Sequence, residues 1–296
     1  MIRCIPCNKI DKVLWDKTVS ESKHPVLYAF SWYLDIVSPQ WKALIYGNYE
    51  YIMPLPVKRK YGIPYIVQPH ITQQLGIFSK HDITPEILKT FEKSLFSFFS
   101  VRYSSNIQFQ TTKARIKQRV NYILPLQKSY EELYSNFSEN CVRNIKKSQK
   151  NCIQVQLVSL DFFITHFKEL SLFTIPEPIW QTIQTVLSQA QNSQSLYIYS
   201  AFFEHKVCAL AAFITSNNSM YYLVPGANSV ARKYGASYAI VNACIKEHCL
   251  QYAKLDFEGS EIAGIAQFYA SFGAIVQPYY YISKHSIPGI YSFLKK

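Results

Sequence analysis

The chain has 296 residues, 49% of them hydrophobic and 17% charged, which excludes a disordered polymer and leaves room for two domains or one large one. A formal net charge of +12 favours acidic partners such as nucleotide phosphates, nucleic acid or anionic lipid heads, although a basic surface also serves solubility. No stretch approaches the roughly 18 uncharged apolar residues of a membrane span, MIRCIPCNKIDK does not read as a secretory leader, and an odd set of seven scattered cysteines suits a reduced cytoplasm with free thiols.

Residues 24–36, HPVLYAFSWYLDI, read as a short strand turning into a helix. WKALIYG, YEYIMPLPV and IPYIVQP read as successive strands, and Gly47-Asn48 and the Lys58–Gly62 turn between them suggest antiparallel hairpins. Thr84-Pro85-Glu86 opens a helix with an N-cap, a first-position proline and an early acid. Ile87, Leu88, Phe91, Leu95 and Phe98 keep its apolar period. NIQFQ and VNYILPL are strand-like again. A second unit begins at Ser129, so the expected domains are 1–128 and 129–296, packed directly without a Pro/Gly/Ser-rich linker. In it, SYEELYSNFSENCVRNIKKSQK is helical and ends in the basic cluster Arg143, Lys146, Lys147 and Lys150. VQLVSL is a strand, and LDFFITHFKEL and PEPIWQTIQTVLSQA are helices. LYIYSAFFEHKVCALAAFIT is a hairpin, and SMYYLVPG a third strand. A glycine-bearing turn, the helix SYAIVNACIKEHCLQYA, the strand KLDFEG, the helix IAGIAQFYASF and the strand AIVQPYYYI complete the chain. The expected class is α+β, each unit a mixed, mainly antiparallel sheet flanked by helices.

Four features carry possible chemistry. Period-two alternation in KLDFEG puts Asp256 and Glu258 on one face, opposite Phe257. Glu258 there could take a proton from an amine, or simply cap the helix starting near Ile262. Tyr269 is either a core ring or a proton donor. The turn ARKYGAS enters a helix, where unpaired N–H groups and the helix dipole suit a pyrophosphate and Gly235 removes a blocking side chain. Lys113, Arg115, Lys117 and Arg119 would share one strand face and keep a sheet edge soluble. Cys4-x-x-Cys7 has zinc spacing, but no further pair completes four ligands, so no metal is expected. No Ser-His-Asp order stands out.

The order of elements in the second unit resembles the GNAT acyltransferase fold. ARKYGAS after YYLVPG is similar to that family's acyl-CoA signature, Gln/Arg-x-x-Gly-x-Gly/Ala, with Arg232, Gly235 and, departing from it in the last slot, Ser237. FYASFGA resembles the ending of the family's tyrosine-bearing helix. SWYLDIVSPQW, QPHITQQLGIFS, YEELYSNFSENCVRNIKKSQK and the stretch from DFEGSE on look like a bacterial group of GNAT proteins related to the FemABX peptidyltransferases, which are two GNAT-like units in tandem. The resemblance implies a cytoplasmic N-acyltransferase using acetyl-CoA or another acyl-CoA. Leu223, Val224, Arg232, Gly235, Ala236 and Ser237 would hold the donor. A backbone N–H of Tyr221–Val224 would bind the oxyanion, with Pro225 ending strand pairing and splaying the strand. Glu258 would be the base, and Tyr269 the acid that protonates the thiolate. The amine acceptor would lie between the units near Trp32, Asp35, Gln73, Gln74 and Arg143. The segment Gln73–Phe78 would be a degenerate acyl-CoA loop, closed by bulky Phe78. FemABX relatives take an amino acid from aminoacyl-tRNA to a peptidoglycan precursor. The long helical hairpin that some carry for tRNA is not seen in this sequence, so tRNA is the less favoured donor. A non-catalytic binding module on the same fold is a third reading.

Overall fold

The computed structural model describes residues 2–171 and 174–285. The chain divides into two compact units, Val120–Gln277 and a discontinuous one made of Met1–Arg119 with the segment from Pro278 onward. The expected seam at residue 128 therefore differs from the observed division, and the last strand belongs mostly to the first unit. Local pattern cannot show which sheet a strand will join.

In the first unit, β1 (Ile2–Pro6) is followed by α1 (Lys12–Ser20), α2 (Ser31–Val37), β2 (Lys42–Tyr46), β3 (Tyr51–Leu55), β4 (Val57–Lys60), β5 (Ile63–Val67), α3 (Pro85–Leu95) and β6 (Ser100–Ser105). β1, β2 and β3 form an antiparallel sheet. Residues 24–30, expected to begin as a strand, instead make a single 3-10 turn at Leu27–Ala29 before α2. α3 starts as its sequence dictates: the Thr84 hydroxyl accepts the Ile87 N–H, Pro85 occupies the first turn, and Ile87, Leu88, Phe91 and Leu95 are buried. The strand expected at NIQFQ forms earlier, at β6, which pairs parallel to β5. Under the small sheet, Trp15 packs on Trp41 at 4.8 Å and donates its Nε1–H to the Ala29 carbonyl.

β7 (Arg115–Pro125) leads into the second unit. There follow α4 (Tyr130–Ser135), α5 (Glu139–Lys150), β8 (Gln154–Leu157), α6 (Leu160–Leu170), α7 (Glu177–Asn192), β9 (Leu196–Phe203), β10 (Lys206–Ser216), β11 (Ser219–Ala227), α8 (Ser229–Tyr234), α9 (Ala236–His248), β12 (Lys254–Asp256) and α10 (Ala263–Ala270). The helical run from Ser129 is two helices: the first ends at its C-cap Asn136, and Ser138 caps the second. β8, β9, β10 and β11 are antiparallel neighbours, β12 lies parallel to β11, and the second half of β7 pairs antiparallel to β12. β10 is buried from Cys208 to Ile214, as a central strand covered on both faces must be. α5 and α9 close a core containing Leu124, Tyr199, Phe213, Ile240, Ile245, Phe257 and Phe272. Last, β13 (Ile275–His285) runs back, and its Tyr280–His285 segment pairs antiparallel to β6.

Candidate active site

The site begins with an irregularity in β11. Ala212 of β10 faces Val224, yet Phe213 faces Tyr222, so Leu223 has no counterpart. One extra residue bends and twists a strand and takes a backbone group out of the ladder. The other flank of β11 meets β12 only over Ser219, Met220 and Tyr221. Beyond Tyr221 the two strands part. Pro225 does not end pairing as expected: Pro225, Gly226 and Ala227 stay in register with β10. The opening lies on the opposite flank, where a proline removes no ladder bond.

Next to this opening is a cavity of ≈ 320 Å³. Tyr222, Pro225, Gly226 and Ala227 of β11 line it, as do Arg232, Gly235, Ser237 and Tyr238 around the α8–α9 junction and Gly264, Ile265, Phe268 and Tyr269 of α10. Of the six residues expected to hold the donor, Arg232, Gly235 and Ser237 line the cavity, whereas Leu223, Val224 and Ala236 are buried beside it. The first turn of α9 (Ala236, Ser237, Tyr238) offers the unpaired N–H groups of a helix start. Gly235 also has a packing reason. Its φ is +76°, and a Cβ there would come within 2.6 Å of the Asn144 carbonyl oxygen of α5. The missing side chain makes room for the α5 backbone.

Tyr269 lies in the last turn of α10 and is 7% exposed. Its ring stacks on Phe257 at 5.1 Å and contacts Tyr122 at 6.0 Å and Tyr222 at 6.1 Å. Its hydroxyl makes no hydrogen bond among the described residues. Burial pushes the phenol above its ordinary pKa, and the negative charges of Glu258 and, less, Asp256 push it the same way. The ring therefore stays protonated at neutral pH, as a proton donor must.

The expected face shared by Asp256 and Glu258 does not form. β12 ends at Asp256, and Glu258 has φ +63°, so alternation stops before it. Asp256 is fully buried, and burial raises its carboxyl pKa against the opposing effects of Lys254, the Glu258 N–H and Asn121. Glu258 is half-buried. The N-cap residue of α10, Ile262, makes no side-chain cap, and the first turn of α10 holds no acid.

The five expected acceptor residues have varied surroundings. Asp35 pairs with Lys12 at 2.5 Å and accepts the Trp41 Nε1–H at 2.9 Å. Trp32 is half-buried against Tyr33. Gln73 accepts a hydrogen bond from Gln74, which is buried. Arg143, on α5, is exposed, bonds Asn140 at 2.6 Å, and lies close enough to the cavity residue Tyr238 to act on its phenol. The segment Gln73–Phe78 is no phosphate loop. The N–H groups of Leu75, Gly76, Ile77 and Phe78 go to Ser104 O, Tyr103 Oη, Asn106 Oδ1 and Ile52 O, and no helix follows until Pro85. Of the basic set, Arg115, Lys117 and Arg119 alternate along β7, Arg119 lying over the Tyr281 ring at 4.3 Å, while Lys113 precedes the strand. Among the described residues no group of three or more His, Cys, Asp or Glu could hold a metal, and no helix is long and apolar enough to cross a membrane.

Tyr222, Tyr238, Gly264 and Phe268 were missed as cavity residues. Gly264 alone carried a local signal, since a glycine inside a helix costs up to about 1 kcal/mol and needs a reason.

No family model matches this sequence, and no curated protein does. Solved structures do. FemX is 11% identical with a TM-score of 0.69, over 99% of this chain and 100% of that one. L-PGS from Bacillus licheniformis is 9% identical with a TM-score of 0.57, over 97% and 95%. A tandem GNAT protein from the clavulanic acid biosynthesis pathway is 10% identical with a TM-score of 0.56, over 98% and 100%. What is shared at this identity is the fold: α+β, tandem GNAT-like, of the FemABX kind.

Proposed function

We propose that the chain is an N-acyltransferase that moves an acyl group, acetyl in the simplest case, from acyl-CoA to an amine. The observation that carries this reading is Tyr269. A nearly buried phenol that makes no hydrogen bond among the described residues faces a cavity where a bulged strand parts from its neighbour and a helix begins. The α9 N-terminus and Arg232 would hold the donor's pyrophosphate. A backbone N–H freed at the Leu223 bulge would stabilise the oxyanion formed as the amine attacks the thioester. Glu258 would accept the ammonium proton, directly or through water, and Tyr269 would protonate the departing thiolate, closing the proton balance. All seven cysteines are free thiols, which suits a reducing cytoplasm.

Aminoacyl-tRNA as donor is the second reading. Arg143, Lys146, Lys147 and Lys150 on α5 and Arg232 and Lys233 on the neighbouring α8 are exposed, and none has an ion pair among the described residues. Such a set suits a polyanion, and its binding would weaken steeply with salt.

Thermal unfolding with acetyl-CoA, CoA and charged tRNA at two salt concentrations separates these readings. A donor at a hundred times its Kd adds about 2.7 kcal/mol of stability. Stabilisation by acetyl-CoA, with product formed on a panel of amines, supports the first reading. Salt-sensitive stabilisation by charged tRNA alone supports the second. No response to any of them refutes both.

A further inference from the structure

Asp256 sits where β12 leaves the sheet, paired with Tyr221 on one side and Ile123 on the other. It is 1% exposed, and its Oδ1 accepts the Glu258 N–H at 2.8 Å. Asn121, also buried, favours the charged form of the carboxylate. Beyond the strand, the Phe257 N–H goes to Tyr122 O at 2.9 Å and the Tyr122 N–H to Glu258 O at 3.3 Å. Two residues thus oppose one, the arrangement that re-aims a side chain at a strand end. Glu258 takes up the distortion at φ +63°, a region that residues other than glycine occupy only at a cost and under restraint from their surroundings.

Three hydrogen bonds to the backbone here, two of them backbone–backbone, and the buried Phe257 ring contribute to that restraint. The bond to Asp256 is the one made by a side chain. It is also the only one of the three that acts on the Glu258 N–H itself. We propose that Asp256 is a positioning residue: buried at the end of β12, its carboxylate clamps the Glu258 N–H and fixes Glu258 in the left-handed turn that ends β12. The catalytic consequence rests on the acyltransferase reading; the clamp itself does not. Asp256 and Glu258 also both act on the Tyr269 phenol, so one clamp would set the surroundings of base and acid together.

The test compares Asp256→Asn, which keeps an acceptor oxygen, with Asp256→Ala, which does not. Hydrogen exchange at the Glu258 amide should speed up at least 10-fold in the alanine variant and stay near wild type in the asparagine variant. With an active donor, kcat should fall in Asp256→Ala at unchanged donor KM and recover largely in Asp256→Asn. Asp256→Ala combined with Glu258→Gln should be no worse than Glu258→Gln alone. If the alanine variant does not fold, NMR of the unmodified protein decides, since the Glu258 amide resonance must move as Asp256 titrates. Unchanged exchange in Asp256→Ala, equal damage in both variants, or an amide resonance indifferent to Asp256 overturns the proposal. If the wild-type chain transfers nothing from acyl-CoA or aminoacyl-tRNA, the acyltransferase reading fails while the exchange data still decide the clamp.

Discussion

Replacing Gly264 should fill the cavity without disturbing the fold. The residue lies in the first turn of α10 and lines the cavity, and a Cβ built there meets nothing within 4 Å. Its backbone is helical, so any L-residue fits. Gly264→Ala removes the entropy cost of a helical glycine, a gain of up to about 1 kcal/mol, equivalent to about 2 °C in a chain of this size. Gly264→Trp places an indole in a space of ≈ 320 Å³. Acetyl-CoA affinity should then fall at least 30-fold, about 2 kcal/mol, at an unchanged or higher melting temperature. Titration calorimetry and scanning calorimetry on the same samples give both numbers. Wild-type affinity in the tryptophan variant would refute the cavity as the donor site. A melting temperature lowered by several degrees would refute the claim that the space is open.

Tyr269→Phe should lower kcat about 100-fold and leave stability nearly unchanged, because the hydroxyl of this cavity-lining ring makes no hydrogen bond among the described residues that the fold would lose; a loss of several degrees in thermal unfolding would contradict this. Gly235→Ala should cost about 1–2 kcal/mol for the left-handed backbone alone, plus a displacement of α5 by the contact at 2.6 Å, and urea unfolding measures the sum. Gly76→Ala in the first unit should be worse still, since φ is +125° and the methyl group would overlap the Asn106 carboxamide. Stability should decline as pH rises past about 10: the unfolded chain ionises Tyr103, Tyr222 and Tyr269 there, while burial holds all three protonated in the fold, so the unfolded state binds fewer protons and gains. Urea midpoints at pH 8 and 10.5 check the sign.

Sequence pattern reached the elements more surely than their partners. Thr84, Pro85 and the spacing from Ile87 to Leu95 fix α3 by contacts within one helix, so they are visible locally. The parallel pairings of β5 with β6 and of β11 with β12 join strands distant in the chain, and no turn residue announces them. The loop read from ARKYGAS borders a cavity, with Arg232, Gly235 and Ser237 on its wall. The detail of the second motif was not legible, because alternation assumes a strand that continues. Asp256 ends β12 by turning its own carboxylate onto the backbone, and Glu258 follows a different rule. The sequence QQLGIF offered a glycine at a plausible spacing. Tertiary bonds from Tyr103 and Asn106 to Gly76 and Ile77 instead make it part of the first unit's strand framework.

The return of β13 to β6 bears on how the protein is made. β6 pairs with residues roughly 180 positions downstream, a long-range closure of the kind that slows folding. During synthesis the first unit emerges first yet lacks that strand until nearly the whole described chain has been translated. The second unit has all its own strands by residue 277 and can be complete while the first still shows the open edge of β6. That edge is the exposed backbone by which nascent chains associate. The order of maturation on the ribosome is thus the reverse of the order of synthesis, and a stop codon placed just before Pro278 would leave the earlier-made unit as the unfinished one.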